Sequence, residues 1–174
     1  MSKNRIITGG LMALALVSLV ALQFPEDCLA VEQGWAQIQS IQKGSRAATL
    51  NALTYDGKQV WIVGGDGLVL KSEDYGRTFQ EIESKLDTNL NDIYIRGRKM
   101  WIIGDGGKML LSTDGGQSFV KNVFISHRDA KSLPLDLYSV TFSDDKNGFI
   151  VGDQGLILAS TDGGTSWREQ PSRT

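Results

Sequence analysis

Three aspartates stand in one chemical setting: Asp74 in SEDYGRTF (72–79), Asp114 in STDGGQSF (112–119) and Asp162 in STDGGTSW (160–167). Carboxylates repeated at fixed spacing could work as acid/base groups, as metal ligands, or as acceptors for backbone N–H groups. The neighbouring residues favour the last role. Each phrase obeys S-x-D-x-G-x-[ST]-[FW], with Ser72, Ser112 and Ser160 before the acid and Gly76, Gly116 and Gly164 after it. A short Asp side chain accepts hydrogen bonds from its own turn, and glycine permits the positive φ that such a turn needs. The closing aromatic (Phe79, Phe119 or Trp167) can fold under the turn. The phrase reads as architecture.

Other chemistry is sparse. The turns GGDG (64–67), GDGG (104–107) and GDQG (152–155) carry Asp66, Asp105 and Asp153. These aspartates are out of register by one residue, so Asp-Gly hairpin turns explain them better than a calcium site. His127 is the only histidine, which denies a His-based metal site its second ligand, and no metal or cofactor is expected. Two segments are candidate contact sites. RGRK (96–99) places Arg96, Arg98 and Lys99 on one turn, where DGKQ and DDKN stand in the equivalent positions. Arginine in a shallow surface suits an acidic protein loop or a phospholipid head group. The second is an insertion, FISHRDAKSLPLD (124–136), which mixes Phe124, Ile125, Leu133 and Leu135, read as exposed, with His127, Arg128 and Lys131. An insertion that breaks a regular repeat often lies on the binding face.

The elements that position these residues follow from the repeat itself. WIVGGDGLVLKSEDYGRTF (61–79), WIIGDGGKMLLSTDGGQSF (101–119) and FIVGDQGLILASTDGGTSW (149–167) align over nineteen positions without a gap. Upstream, LNALTYDGKQV (50–60), LNDIYIRGRKM (90–100) and LYSVTFSDDKNG (137–148) continue the match. A period near forty residues built of short strands marks a propeller-type array. Each unit reads as four strands, in units of about 47–84, 87–123 and 137–170. The first strand alternates, the second and third are continuous apolar runs covered on both faces, and the fourth is a polar outer edge. WAQIQSI (35–41) reads as one more outer strand before the first unit.

This repeat is the Asp-box of bacterial neuraminidases. With W-[IL]-[VI]-G before the box and an aromatic after it, the chain resembles the photosystem II assembly-factor family of β-propellers from about Trp35 to Trp167. The resemblance implies an all-β propeller, exported to the thylakoid lumen or periplasm. It would be a non-enzymatic scaffold that assembles or stabilises an integral-membrane protein complex, of photosystem II type in a photosynthetic organism. The departure is blade count: three complete units, against about seven in the family. Three blades leave two apolar faces to cover, by a second copy closing a six-bladed ring or by another protein, with a strained compact wedge of three blades as the third arrangement. The alternative class is a carbohydrate-binding or glycoside-hydrolysing protein of the sialidase type. That chemistry needs an arginine cluster, a Tyr backed by Glu, and an acid/base Asp. No arginine recurs at a matching inner-strand position, and Tyr55 and Tyr94 fall within first strands, where packing is the expected role.

Charge and leader complete the reading. Lys and Arg number 18 against 20 Asp and Glu, so no basic footprint for nucleic acid exists. Residues 1–30 run from Lys3 and Arg5 through the apolar LMALALVSLVAL (11–22) to small residues at Cys28 and Ala30. That order is a secretory signal cut after Ala30, with an uncleaved anchor over residues 6–24 as the competing reading. The single cysteine, Cys28, lies in that leader, leaving residues 31–174 as a thiol-free repeat domain.

Overall fold

Alternation and turn chemistry give each unit the same four-stranded meander. The structure, a computed structural model, describes residues 42–43, 46–125 and 134–171. The leader, the 35–41 segment, His127, Arg128 and Lys131 lie outside the described residues. A short antiparallel pair, β1 (Gln42–Lys43) with β2 (Arg46–Ala47), precedes three four-stranded antiparallel sheets. The first is β3 (Leu50–Tyr55), β4 (Val60–Gly64), β5 (Val69–Ser72) and β6 (Gln80–Glu81). The second is β7 (Leu90–Arg96), β8 (Lys99–Gly104), β9 (Lys108–Ser112) and β10 (Val120–Val123). The third is β11 (Leu137–Phe142), β12 (Gly148–Gly152), β13 (Leu156–Ser160) and β14 (Arg168–Glu169). The chain is thus all-β, a propeller-type array of three blades. Neighbouring blades meet along their inner strands, β3 against β7 and β7 against β11.

The W-x-x-G glycine has a non-local cause. The first strand of every blade opens with a register shift, at Leu50/Ala52, Leu90/Asp92 and Leu137/Ser139. There the preceding carbonyl crosses the end of the second strand. A Cβ on Gly64, Gly104 or Gly152 would lie 2.0, 2.1 or 2.3 Å from the carbonyl oxygen of Thr49, Asn89 or Asp136. Only glycine admits that approach. The next residue's N–H bonds the same carbonyl, at 2.9, 3.0 and 2.8 Å. The GDxG segments then close as 3-10 turns, Gly65–Gly67, Asp105–Gly107 and Asp153–Gly155. Their middle residue is left-handed in each case (Asp66, Gly106 and Gln154).

Two cores lie between blades. Trp61, Val63 and Val69 of the first blade pack on Leu90, Ile93, Met100, Ile102 and Leu110 of the second. Trp101, Ile103 and Met109 of the second pack in turn on Leu137, Val140, Phe142, Ile150, Leu156 and Leu158 of the third. Each of these apolar side chains removed from water is worth about 1.5–3 kcal/mol, so the blade junctions dominate the favourable side of folding. The expected covering of both faces fails at the ends of the array. Phe149, at the position of Trp101, is 45 % exposed against 4 % for Trp101, and Val151 and Ile157 are exposed beside it. At the other end Leu53 is 70 % exposed where its counterpart Ile93 is 4 %, although Ile62, Leu68 and Leu70 of the same blade are buried. Tyr55 is exposed too, its hydroxyl donating to the Gly57 carbonyl, contrary to the packing role expected for it.

Candidate binding surface

The Asp-box turns form a closed hydrogen-bond circuit that repeats three times. The serine hydroxyl (Ser72, Ser112, Ser160) donates to the aspartate Oδ1 at 2.7, 2.7 and 2.8 Å. It accepts from the N–H of Gly76, Gly116 and Gly164 at 2.8, 2.9 and 2.8 Å. The aspartate accepts from both the N–H and the hydroxyl of the residue four positions on, Thr78, Ser118 or Ser166. The hydroxyls of those residues, then their N–H groups, hold the Asp74 and Asp114 carboxyls well below the usual range and bring Asp162 down to about 2. Carboxylates engaged in this way are turn locks.

The second and third boxes also receive the blade before them. The Trp61 ring lies against Gly116 and the Trp101 ring against Gly164: an added Cβ would come within 2.3 Å of Trp61 and 2.1 Å of Trp101 Nε1. The closing aromatics seal the same region, Phe119 against the first junction and Trp167 edge-on to Phe142 with centroids 5.7 Å apart. Gly76 has nothing closer than 3.8 Å. The glycine of the box thus serves two ends, positive φ and a seat for a neighbour's indole, of which the sequence pattern disclosed only the first.

The second junction is the richer one. Trp101, Phe142 and Tyr94 stack, with Trp101 and Phe142 centroids 4.1 Å apart. The Tyr94 hydroxyl donates to the Phe142 carbonyl at 3.2 Å. Asn91 Nδ2 donates to the Leu137 carbonyl at 2.9 Å, as Asn51 does to Leu90 at the first junction. Asp92 accepts from Ser139 and from the Val140 N–H.

The RGRK residues separate. Arg96 crosses to the third blade and pairs with Asp145 at 2.6 Å. Hydrogen bonding to Tyr94, and then to Asp145, raises its guanidinium further above its ordinary value. Arg98 turns back on its own blade, 3.5 Å from the Asp114 carbonyl. Arg96 and Lys99 share a cavity of about 240 Å³, lined also by Trp101 and Asp145. Of the charged turn, then, two members face one recess and the third does not.

The flanks of the insertion lie at the opposite end, beside the GDxG turns. The Phe124 N–H donates to the Gly107 carbonyl, and Asp136 accepts from the Gly106 N–H. Leu135 is buried and Phe124 half-buried against the second core, because both complete the inner end of the second junction. This corrects the expectation that they are exposed; Ile125 is exposed as expected. Partial desolvation, and then the charges of Asp153, Asp136 and Asp105, push the Tyr138 hydroxyl up at that end. Among the described residues no three His, Cys, Asp or Glu side chains converge as a metal site.

These features define an Asp-box β-propeller repeat protein. A family model described as photosynthesis system II assembly factor YCF48 matches residues 82–161, and the chain resembles that family. Among solved structures it is similar to YCF48 bound to D1 peptide, at 25 % identity and TM-score 0.59, over 70 % of this chain and 39 % of that one. It is also similar to YCF48 from Cyanidioschyzon merolae, at 27 % identity and TM-score 0.60, over 73 % and 38 %. The chain therefore spans about two fifths of the length of these relatives. An ancestral GH74 enzyme shares the fold at 13 % identity and TM-score 0.59, over 74 % of this chain and 20 % of the enzyme. A comparison with curated proteins found no match.

Proposed function

We propose that this chain is a non-enzymatic, exported scaffold that binds peptide segments of an integral-membrane complex of photosystem II type and supports its assembly or stability. The observation that carries the reading is its similarity to YCF48 in a D1-peptide complex. The candidate contacts are the turn with Arg96, Arg98 and Lys99 and, from the sequence alone, the insertion that carries Phe124, His127, Arg128 and Lys131. The Asp-box carboxylates Asp74, Asp114 and Asp162 are engaged in their own turns, which supports a structural rather than an acid/base role for them. A second copy is one cover for the open blade faces, and another protein is the other. Phe149, Val151 and Ile157 of one protomer would meet Leu50, Leu53 and Tyr55 of its partner, and Phe149 would approach the open Gly76.

Calorimetric titration of the chain with synthetic peptides tiling the D1 subunit tests the reading. Saturable binding to one segment, weakened by Arg96→Glu with Arg98→Glu, is expected. Absence of binding to every segment would overturn it. Light scattering over a dilution series distinguishes the two: a stable dimer means that the blades complete one another, and a persistent monomer would refute closure by a second copy.

A further inference from the structure

We propose that the recess between the second and third blades is a seat for one peptide carboxylate, held between the Lys99 ammonium and the Trp101 indole N–H. This rests on the peptide-scaffold reading and specifies the group that the scaffold grips.

The two tryptophans that join blades are not equally satisfied. Trp61 Nε1 donates to Gln59 Oε1, two residues earlier, at 3.3 Å. Register puts Lys99 in the place of Gln59 for Trp101, and an ammonium can only donate. Trp101 is 4 % exposed, and its Nε1 is buried without a hydrogen-bond partner. Buried donors without partners are rare, and each one calls for an explanation. Here a replaced acceptor explains the loss, and a ligand oxygen would restore it.

The recess fits that oxygen. Trp101 Nε1 and Lys99 Nζ lie over consecutive glycines, 2.1 Å from a Cβ built on Gly164 and 3.1 Å from one built on Gly163. Both donors thus lie over one turn, where a side chain at Gly164 would collide with the indole, and both Trp101 and Lys99 line the recess. The cavity of about 240 Å³ is smaller than the roughly 300–1,000 Å³ of pockets that take whole small molecules, which suits a single functional group. Charge selects its kind. Arg96 is paired with Asp145 and also faces Asp144, whereas Lys99 has no ion-pair partner among the described residues, so Lys99 is the cation free to meet a ligand. One carboxylate balances it; a phosphate dianion would face Asp145 with its second charge uncompensated. Lys99 shares the recess with Trp101, and its flexible stem can turn aside to admit the oxygen.

Two sources offer this group: an Asp or Glu side chain, or a free chain terminus. The indole ¹H–¹⁵N signals of the full-length chain separate them. Trp35, Trp61, Trp101 and Trp167 give four such signals, and Trp101→Phe identifies one. Three probes are titrated to tens of millimolar: acetyl-Gly-Glu-Gly-amide, acetyl-Gly-Gly-Gly with a free terminus, and acetyl-Gly-Gln-Gly-amide. The Trp101 signal is expected to move with a carboxylate probe and to ignore the glutamine peptide, and the probe that moves it names the source. Lys99→Gln rebuilds the Gln59–Trp61 arrangement. It should abolish the shift while leaving the melting midpoint no lower than wild type, and Lys99→Met should abolish it without rebuilding the pair. An unmoved Trp101 signal with both carboxylates, or an undiminished shift in Lys99→Gln, would overturn the seat. D1 peptides that bind without moving Trp101 would also overturn it while leaving the scaffold reading intact. Short carboxylates that move Trp101 where no D1 peptide binds would support the seat and remove that reading.

Discussion

Gly76 and Gly164 occupy the same place in the Asp box, at φ +83° and +77°, but only the second lies under a tryptophan. Alanine at either position must adopt a left-handed backbone, at about 1–2 kcal/mol. At Gly76 nothing else is disturbed, since the nearest atoms are 3.8 Å away. At Gly164 the new methyl would stand 2.1 Å from Trp101 Nε1 and 2.9 Å from Phe142 Cζ. Neither ring can move without opening the junction core, and overpacking of this kind adds about 1–3 kcal/mol. Urea unfolding should therefore show Gly76→Ala losing about 1–2 kcal/mol and Gly164→Ala about 2–5 kcal/mol. In a melt, each kilocalorie of the difference appears as about 2–4 °C for a chain of this size. Gly116→Ala, 2.3 Å from Trp61, should behave like Gly164→Ala. Adding Trp101→Phe to Gly164→Ala should recover part of the loss by shrinking the ring that is struck. Equal losses at Gly76 and Gly164 would refute the claim that the box glycine is a seat for the neighbouring blade.

Other consequences can be read from the same junctions. Asp162 is depressed from an ordinary value near 3.8 to about 2 in the fold. Its contribution is therefore complete above about pH 4 and is lost as pH falls towards 2. Asp162→Asn should melt below wild type at neutral pH, with the gap closing across that window; a gap independent of pH would show that the carboxylate charge is idle. Asn91→Ala leaves the acceptors at Leu137 and Asp105 without their donor, and should cost about 1–2 kcal/mol in urea unfolding. A variant as stable as wild type would show that this clasp contributes nothing.

The Asp-box was legible because its bonds close within eight residues: serine, aspartate, glycine and the final hydroxyl all serve one another. The blades were legible from strand periodicity for the same local reason. What escaped was whatever depends on a neighbour. Gly64, Gly104 and Gly152 are dictated by a carbonyl that precedes the first strand, and their extended φ gives no local sign of it. RGRK reads as one cationic patch along the chain. In space Asp145 draws Arg96 outward while the Asp114 carbonyl holds Arg98 back. The Gln59-to-Lys99 exchange was visible in the alignment, but it gained meaning only when the buried indole beside it proved to be unpaired.

The two junctions differ in more than chemistry. Among the described residues, Asn51 is the side chain of the first blade's inner strand that bonds across the first junction, beside the Gly67 N–H to the Thr88 carbonyl. By contrast, Asn91, Asp92, Tyr94 and Arg96 of the second blade's inner strand all bond across the second. In an array where each unit touches only its neighbours, such inequality sets an order of events. The last two blades behave as one welded block, and the first is an articulated leaf upon it. With fewer clasps at its junction, the first blade is the one expected to open first during thermal breathing. The recess beside Trp101 lies within the block, so it keeps its shape while the first blade comes and goes.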